Sequence, residues 1–287
     1  MNTLIERFSG PFSATDWNKD LRLEKNRNFE RVLAIGDTHC GSIHGLTPPN
    51  TISVSGDNLA ARTEDERREC WNWFAEKVDA LRPIDVLMFN GDAIDGKAAA
   101  QEGLEQLTVD MLEQVEMATK IVEFINPERA VFTYGTPYHT GKGEDFEKIL
   151  ADNVGAPISS VEQVSVGGVV FDMRHHLGRS GVPHGRQTPL AREQLWNLLW
   201  ATRGDFPLAD VILRSHVHYF TYTGGPDWVA MSLPALQMPG TRFGVRRMTG
   251  IVDFGLAYFD VKDGGYTWGY ELLEGRDAPW AHEARGI

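Results

Sequence analysis

Most of the histidines in this 287-residue sequence gather with aspartates at a few places. Asp37 and His39 stand in Gly36-Asp37-Thr38-His39, and Asp92 and Asp95 in Asn90-Gly91-Asp92-Ala93-Ile94-Asp95. His139 closes Gly135-Thr136-Pro137-Tyr138-His139, His175 and His176 are adjacent, and His216 and His218 alternate in Ser215-His216-Val217-His218. Carboxylates mixed with imidazoles, with no thiolate required, suit Mn, Fe, Zn or Ni better than Ca or Mg, which prefer oxygen alone. In an extended segment, alternation would turn Asp37 and His39 to one side, and His216 and His218 likewise. Two ions about 3.5–4 Å apart can share a carboxylate, activate a water and clamp phosphoryl oxygens.

Each of these clusters follows an apolar run that reads as a buried strand: 31–35, 85–89, 130–134, 164–176 (a possible hairpin through Gly167-Gly168) and 210–214. In open α/β sheets the C-terminal strand ends are where sites are built. Helical spacing predicts helices over 64–81, 102–125, 145–151 and 190–202. In the first of these Trp71, Phe74, Val78 and Leu81 share a face, and Thr63 stands at the N-cap position before Glu64-Asp65-Glu66. The alternation of strands with helices gives a layered α/β domain, read as one unit over 1–287. Segments 41–62 and 177–189 read as lid or binding-loop insertions, and a polar tail starts at 274.

The ordered set D-x-H, G-D-x-x-D, G-x-x-x-H, His and x-H-x-H, spanning Asp37 to His218, resembles the calcineurin-like metallophosphoesterases. The resemblance implies a two-sheet α/β sandwich flanked by helices, with two divalent ions (Mn, Fe, Zn or Ni) at the strand ends. It assigns Asp37, His39 and His218 to one ion, and one of His175 and His176 with His216 to the other. Asp92 would bridge both ions, and Asp95 would orient the histidine of the third motif. A metal-bridging hydroxide would attack phosphorus. The family's Gly-Asn-His-Asp/Glu is here Gly-Thr-Pro-Tyr-His, so the ligating Asn is missing. His139 either fills that ligand position or protonates the leaving oxygen.

Composition bounds the substrate. A net charge of −12 argues against a long nucleic acid, whose affinity comes from a basic face. Two divalent ions against Asp37 and Asp92 would nonetheless leave the pocket locally positive. The expected partner is a phosphate-ester small molecule or nucleotide, with phosphodiesters ranked above phosphomonoesters and a nuclease third. A metal-binding interaction module with little catalysis, or a zinc amide hydrolase, are the rivals. Neither an apolar membrane span nor a secretory leader is evident, and Cys40 and Cys70 read as reduced thiols, which points to the cytoplasm.

Other residues carry weaker signals. Arg179, His184 and Arg186 could contact substrate from the second insertion, although a solvated loop is the simpler reading. His44 and His282 read as solvated. Arg242, Arg246 and Arg247 read as a salt-bridged surface. Trp71, Trp73, Trp196 and Trp200 read as core packing rather than as base-stacking platforms.

Overall fold

Short β-rich runs with apolar residues on both faces need cover on both sides, and the chain supplies it by stacking two sheets between helices. The computed structural model describes residues 27–52, 59–97, 103–140, 145–180, 182–241 and 250–273. The first half runs β1 (Glu30–Ile35), α1 (Leu59–Arg62), α2 (Glu64–Leu81), β2 (Val86–Asn90), α3 (Met111–Ile125), β3 (Arg129–Thr133), α4 (Pro137–Thr140), α5 (Phe146–Asn153) and β4 (Ile158–Ser159). The second runs β5 (Glu162–Val166), β6 (Val169–Met173), α6 (Thr188–Arg203), β7 (Val211–Arg214), β8 (Thr221–Gly224), β9 (Val229–Ser232), β10 (Phe254–Lys262) and β11 (Gly265–Leu273).

The first sheet has the order β11-β10-β1-β2-β3-β4 and the second β5-β6-β7-β9-β8. Strands β1 to β4 are parallel, and β10 and β11 close that sheet antiparallel. In the second sheet β6, β7 and β9 are parallel. The expected two-sheet sandwich flanked by helices is therefore observed. Register decides where the site falls. Ile35 lies opposite Phe89 and Phe89 opposite Phe132, while Met173 lies opposite Leu213 and Leu213 opposite Met231. The segments after β1, β2, β3, β6 and β7 thus leave their sheets at matched levels.

Period-two alternation sorts the core. Val32, Ala34 and Met88 face Phe171, Met173, Leu213 and Met231 between the sheets. Leu33, Ile35 and Phe89 face the other way, against Phe74 and Val78 of α2 and Ile121 of α3. Helix α2 buries Trp71, Phe74, Val78 and Leu81, as their spacing predicts.

Four expectations change. The helix predicted from 102 begins at Met111, because the exposed Asp110 caps it. The Asp110 carboxylate accepts from the N–H groups of Leu112 (2.8 Å) and Glu113 (3.4 Å). Asp110→Ala is expected to lower stability by about 1 kcal/mol, seen as a lower urea midpoint at unchanged slope. Thr63 occupies the N-cap position of α2 without capping it; its hydroxyl donates to Leu59 O at 3.2 Å and accepts from Arg67. Residues 41–46 are no lid. They are buried, with Ile43 N donating to Glu105 O and Leu46 N to Thr38 O, both at 2.9 Å. His44, read as solvated, is consequently only 8% exposed. Arg242, Arg246, Arg247, His282 and the tail from 274 lie outside the described residues.

The cysteines Cys40 and Cys70 are free and buried. No helix among the described residues is long and apolar enough to cross a membrane.

Candidate metal centre

Five of the predicted residues sit in backbone that L-amino acids rarely adopt. The φ angles are 50° at Asp37, 45° at His39, 50° at Asp92, 75° at His216 and 57° at His218. The simple alternation of an extended strand is therefore not what brings Asp37 to His39 or His216 to His218. Left-handed turns immediately after β1, β2 and β7 do it, and such outliers cluster at functional sites. The turns are locked to one another. Asp37 N donates to Gly91 O (2.9 Å), His39 N to Asp92 O (3.0 Å) and His216 N to Asp37 Oδ2 (3.1 Å).

The side chains form three groups that could each hold an ion: Asp37, His39 and His218; Asp92, His175 and His216; and His39, Asp95 and His139. In the first, His218 Nε2 lies 3.3 Å from Asp37 Oδ1 and 3.2 Å from His39 Nε2. In the second, His175 Nε2 lies 2.9 Å from Asp92 Oδ2. The first two groups adjoin, since His175 Nε2 is also 3.9 Å from Asp37 Oδ1. Asp92 belongs to the second group, while Asp37 Oδ1 stands among imidazoles of both.

Neighbouring residues fix which lone pairs are offered. His175 Nδ1 donates to Asn90 O at 2.8 Å, which leaves Nε2 as the nitrogen turned to the carboxylates. His39 Nδ1 bonds to Asp95 Oδ1 at 2.9 Å, with the same consequence. Asp37 Oδ1 and His175 Nε2 are buried and make no well-aligned hydrogen bond, although His218 Nε2 stands 3.3 Å from the first and Asp92 Oδ2 2.9 Å from the second. Buried carboxylate oxygens and imidazole nitrogens crowded together in this way are costly to hold unless a proton or a cation joins them. The donor set thus fits a divalent metal.

The protons of the ion-free cluster tell the same story. Burial opposes a charge on His39, but the Asp37 and Asp95 carboxylates outweigh it and raise its pKa to about 10. Burial opposes it on His175 as well, yet Asp92 carries that residue up to about 9. Burial, followed by repulsion from His175, lowers His216 to about 4. Ligation needs neutral imidazoles, so ion binding near neutral pH should release protons and weaken as pH falls. Calorimetry with zinc in buffers of different ionisation enthalpy should show that release. The sign for the ion-free fold is opposite. The stabilisation from protonated His39 and His175 is complete below the ordinary imidazole value of 6.5 and is lost as pH rises through about 9 to 10.

The third motif lies on α4. In the third motif, which lacks an Asn, Thr136 supports a carboxylate: its N–H and hydroxyl donate to Asp92 Oδ1 at 2.6 and 3.1 Å. His139 is absent from the Asp92 group. Its Nδ1 donates to the Asp95 carbonyl at 2.8 Å, and its ring meets that of His39 edge-on at 4.6 Å. Asp95 therefore holds His139 through its backbone carbonyl, with its carboxylate 3.6 Å from the same ring nitrogen, and binds His39 through its side chain.

His175 is buried and His176 exposed, its ring 5.0 Å from that of His216. Arg179 and His184 are exposed, and the Arg186 guanidinium lies over the Tyr219 ring at 4.6 Å. These four residues belong to none of the three groups. Two supporting residues escape sequence reasoning. Asn90 was visible only as a motif flank, and nothing marks Glu147. Glu147 is buried, and its carboxyl accepts from Ala93 N (2.8 Å) and Gly135 N (2.6 Å), tying the second and third motifs together. Burial and then the Asp92 charge hold that carboxyl up at about 7.

No family model matches the sequence, and no curated protein matches it. Several solved structures are similar. One is an archaeal phosphodiesterase, 16% identical with a TM-score of 0.42, covering 84% of this chain and 99% of that one. Another is a predicted phosphoesterase from Streptococcus pneumoniae, 11% identical with a TM-score of 0.38, covering 86% and 91%. A third is Vps29 from Entamoeba histolytica complexed with zinc, 12% identical with a TM-score of 0.39, covering 85% and 99%. Likenesses this distant carry no chemistry with them. Within this chain itself, the ordered motifs resemble those of the calcineurin-like metallophosphoesterases, and a two-sheet sandwich gathers them at its strand ends.

Proposed function

We propose that the protein is a binuclear metal-dependent phosphoesterase that acts on phosphodiesters in preference to phosphomonoesters. The observation that carries this reading is the adjoining pair of three-residue groups, with Asp37 Oδ1 and His175 Nε2 buried 3.9 Å apart where they meet. Asp37, His39 and His218 would hold one ion; Asp92, His175 and His216 would hold the other. Asp92 is the carboxylate proposed to be shared. Bound divalent ions of the Mn, Fe, Zn or Ni type supply positive charge for phosphoryl oxygens and a water acidic enough to attack at neutral pH.

The chain's own residues do the rest. Asp95 and the Asn90 carbonyl hold His39 and His175 in the tautomers that present Nε2. Thr136 fixes the Asp92 carboxylate, and Glu147 fixes the loop that carries Thr136. With Nδ1 committed to the Asp95 carbonyl, His139 keeps Nε2 for exchanging a proton with the leaving oxygen. The chain is taken to work as one unit in the cytoplasm, on a small ester or nucleotide. The negative net charge opposes a long polyanion.

The test is hydrolysis of bis(p-nitrophenyl) phosphate and p-nitrophenyl phosphate with added Mn. Turnover should be faster on the diester, vanish with a chelator and return when Mn is restored. A faster monoester would reverse the ranking of substrates. Two ions bound per chain with no turnover under Mn, Ni, Zn or Fe would instead establish a binding module.

A further inference from the structure

Trp196 and Trp200 were expected in the core, and the structure puts them elsewhere. Of the whole of α6, only Pro189, Leu190 and Asn197 are buried. Trp196 is 46% exposed, and its ring lies near-parallel to that of Trp200, with centroids 6.0 Å apart and planes at 22°. The two rings form one wall of a cavity of about 630 Å³, which Thr136, His175, Arg174 and Glu193 also line. That size is ordinary for a small-molecule site. The cavity opens directly from the candidate centre, because His175 and Thr136 are the residues that touch Asp92.

Its polar groups are few and oriented. The Arg174 guanidinium packs on Trp200 at 4.2 Å, and its Nε lies 3.8 Å from the buried Asp172 carboxylate. Glu193 Oε2 is held by Arg214 Nε and Nη2 at 3.0 and 2.9 Å, which fixes a carboxylate in the wall. Two stacked indoles, an arginine cation packed on one of them and an immobilised acceptor suit a flat ring that carries a hydrogen-bonding edge.

We propose that this cavity is a subsite for the nucleobase of a nucleotide-sized phosphate ester, stacked against Trp196 and Trp200 while the phosphate lies at the metal centre. The proposal rests on the phosphoesterase reading and adds to it the chemical class of the esterified group. Glu193 accepts from N–H groups on the base edge, and the Arg174 cation holds the Trp200 ring in place behind the stack. Stacking on aromatic walls tolerates any base, so the subsite selects for a base rather than for one particular base.

The experiment is calorimetric titration of the zinc-loaded chain with hydrolysis-resistant diester mimics, the phosphonate monomethyl esters of the methylenephosphonate analogues of AMP and of ribose 5-phosphate. The AMP analogue should bind about 10-fold tighter, the advantage expected from one stacked base. Trp196→Ala should erase that advantage while leaving the affinity for the ribose analogue unchanged, and Trp196→Phe should restore most of it. If both analogues bind the parent protein equally, or the preference survives in Trp196→Ala, the subsite is overturned and the phosphoesterase reading stands. If neither binds, the metal-centre reading fails and takes the subsite with it.

Discussion

Asp92→Asn is expected to lower kcat/KM for bis(p-nitrophenyl) phosphate by about 10³-fold or more and to remove bound metal. The size follows from what Asp92 alone provides. It is the single carboxylate of its group, the other two members being the imidazoles of His175 and His216. Asparagine keeps the shape, so Oδ1 can still accept from the Thr136 N–H and hydroxyl that hold Asp92 now. What disappears is the negative charge that a divalent ion needs in a site completed by neutral ligands. Kinetics and elemental analysis of the same preparations would show it, with circular dichroism confirming the fold. Activity within about 10-fold of the parent would rule Asp92 out as a ligand.

His139 is expected to show its role through the leaving group. Replacing it with glutamine should slow hydrolysis of an alkyl phosphodiester by about 10²-fold or more. The same change should affect the p-nitrophenyl ester much less, because nitrophenolate leaves without a proton. The positioning is specific: Nδ1 is tied to the Asp95 carbonyl, and the ring edge meets His39. Burial, and next in the ion-free centre the charge of His39, lower the pKa of His139 below the ordinary imidazole value, and burial persists when metal is bound. A donor of this kind loses its proton as pH rises through that lowered value. The alkyl-ester rate of the parent should therefore fall with rising pH before an ordinary imidazole would titrate. Equal losses on both esters, accompanied by a lost ion, would make His139 a ligand instead.

The parts of the molecule written in local pattern were legible in the sequence. The strands before Asp37, Asp92 and His216 announce themselves as apolar runs, and α2 as a helical stripe from Trp71 to Leu81. What failed depended on knowing which surfaces find cover. Trp196 and Trp200 share a helix face that reads as core, but the second sheet is covered by Leu190 and Asn197 and leaves that face open. Residues 41–46 read as an exposed insertion, because nothing local shows that Glu105 and Thr38 will accept their N–H groups. Glu147 was invisible for the same reason: a buried acid is recognisable only from the distant backbone it serves. The start of α3 was lost to a cap whose meaning depends on where the preceding turn ends.

The left-handed backbone at Asp37, His39, Asp92, His216 and His218 has a consequence for how this gene can age. Such conformations cost on the order of 1 kcal/mol or more for each side chain that bears a Cβ, and glycine adopts them freely. The backbone therefore gains nothing of its own from having histidine at 216 or 218. On the proposed reading it is the reaction, and not the turn, that those residues serve. In a duplicated copy freed from selection for that reaction, glycine or asparagine at these positions would make the protein more robust as it became inert. The centre would be erased by drift towards a better-folded molecule, and the two-sheet shell would survive it.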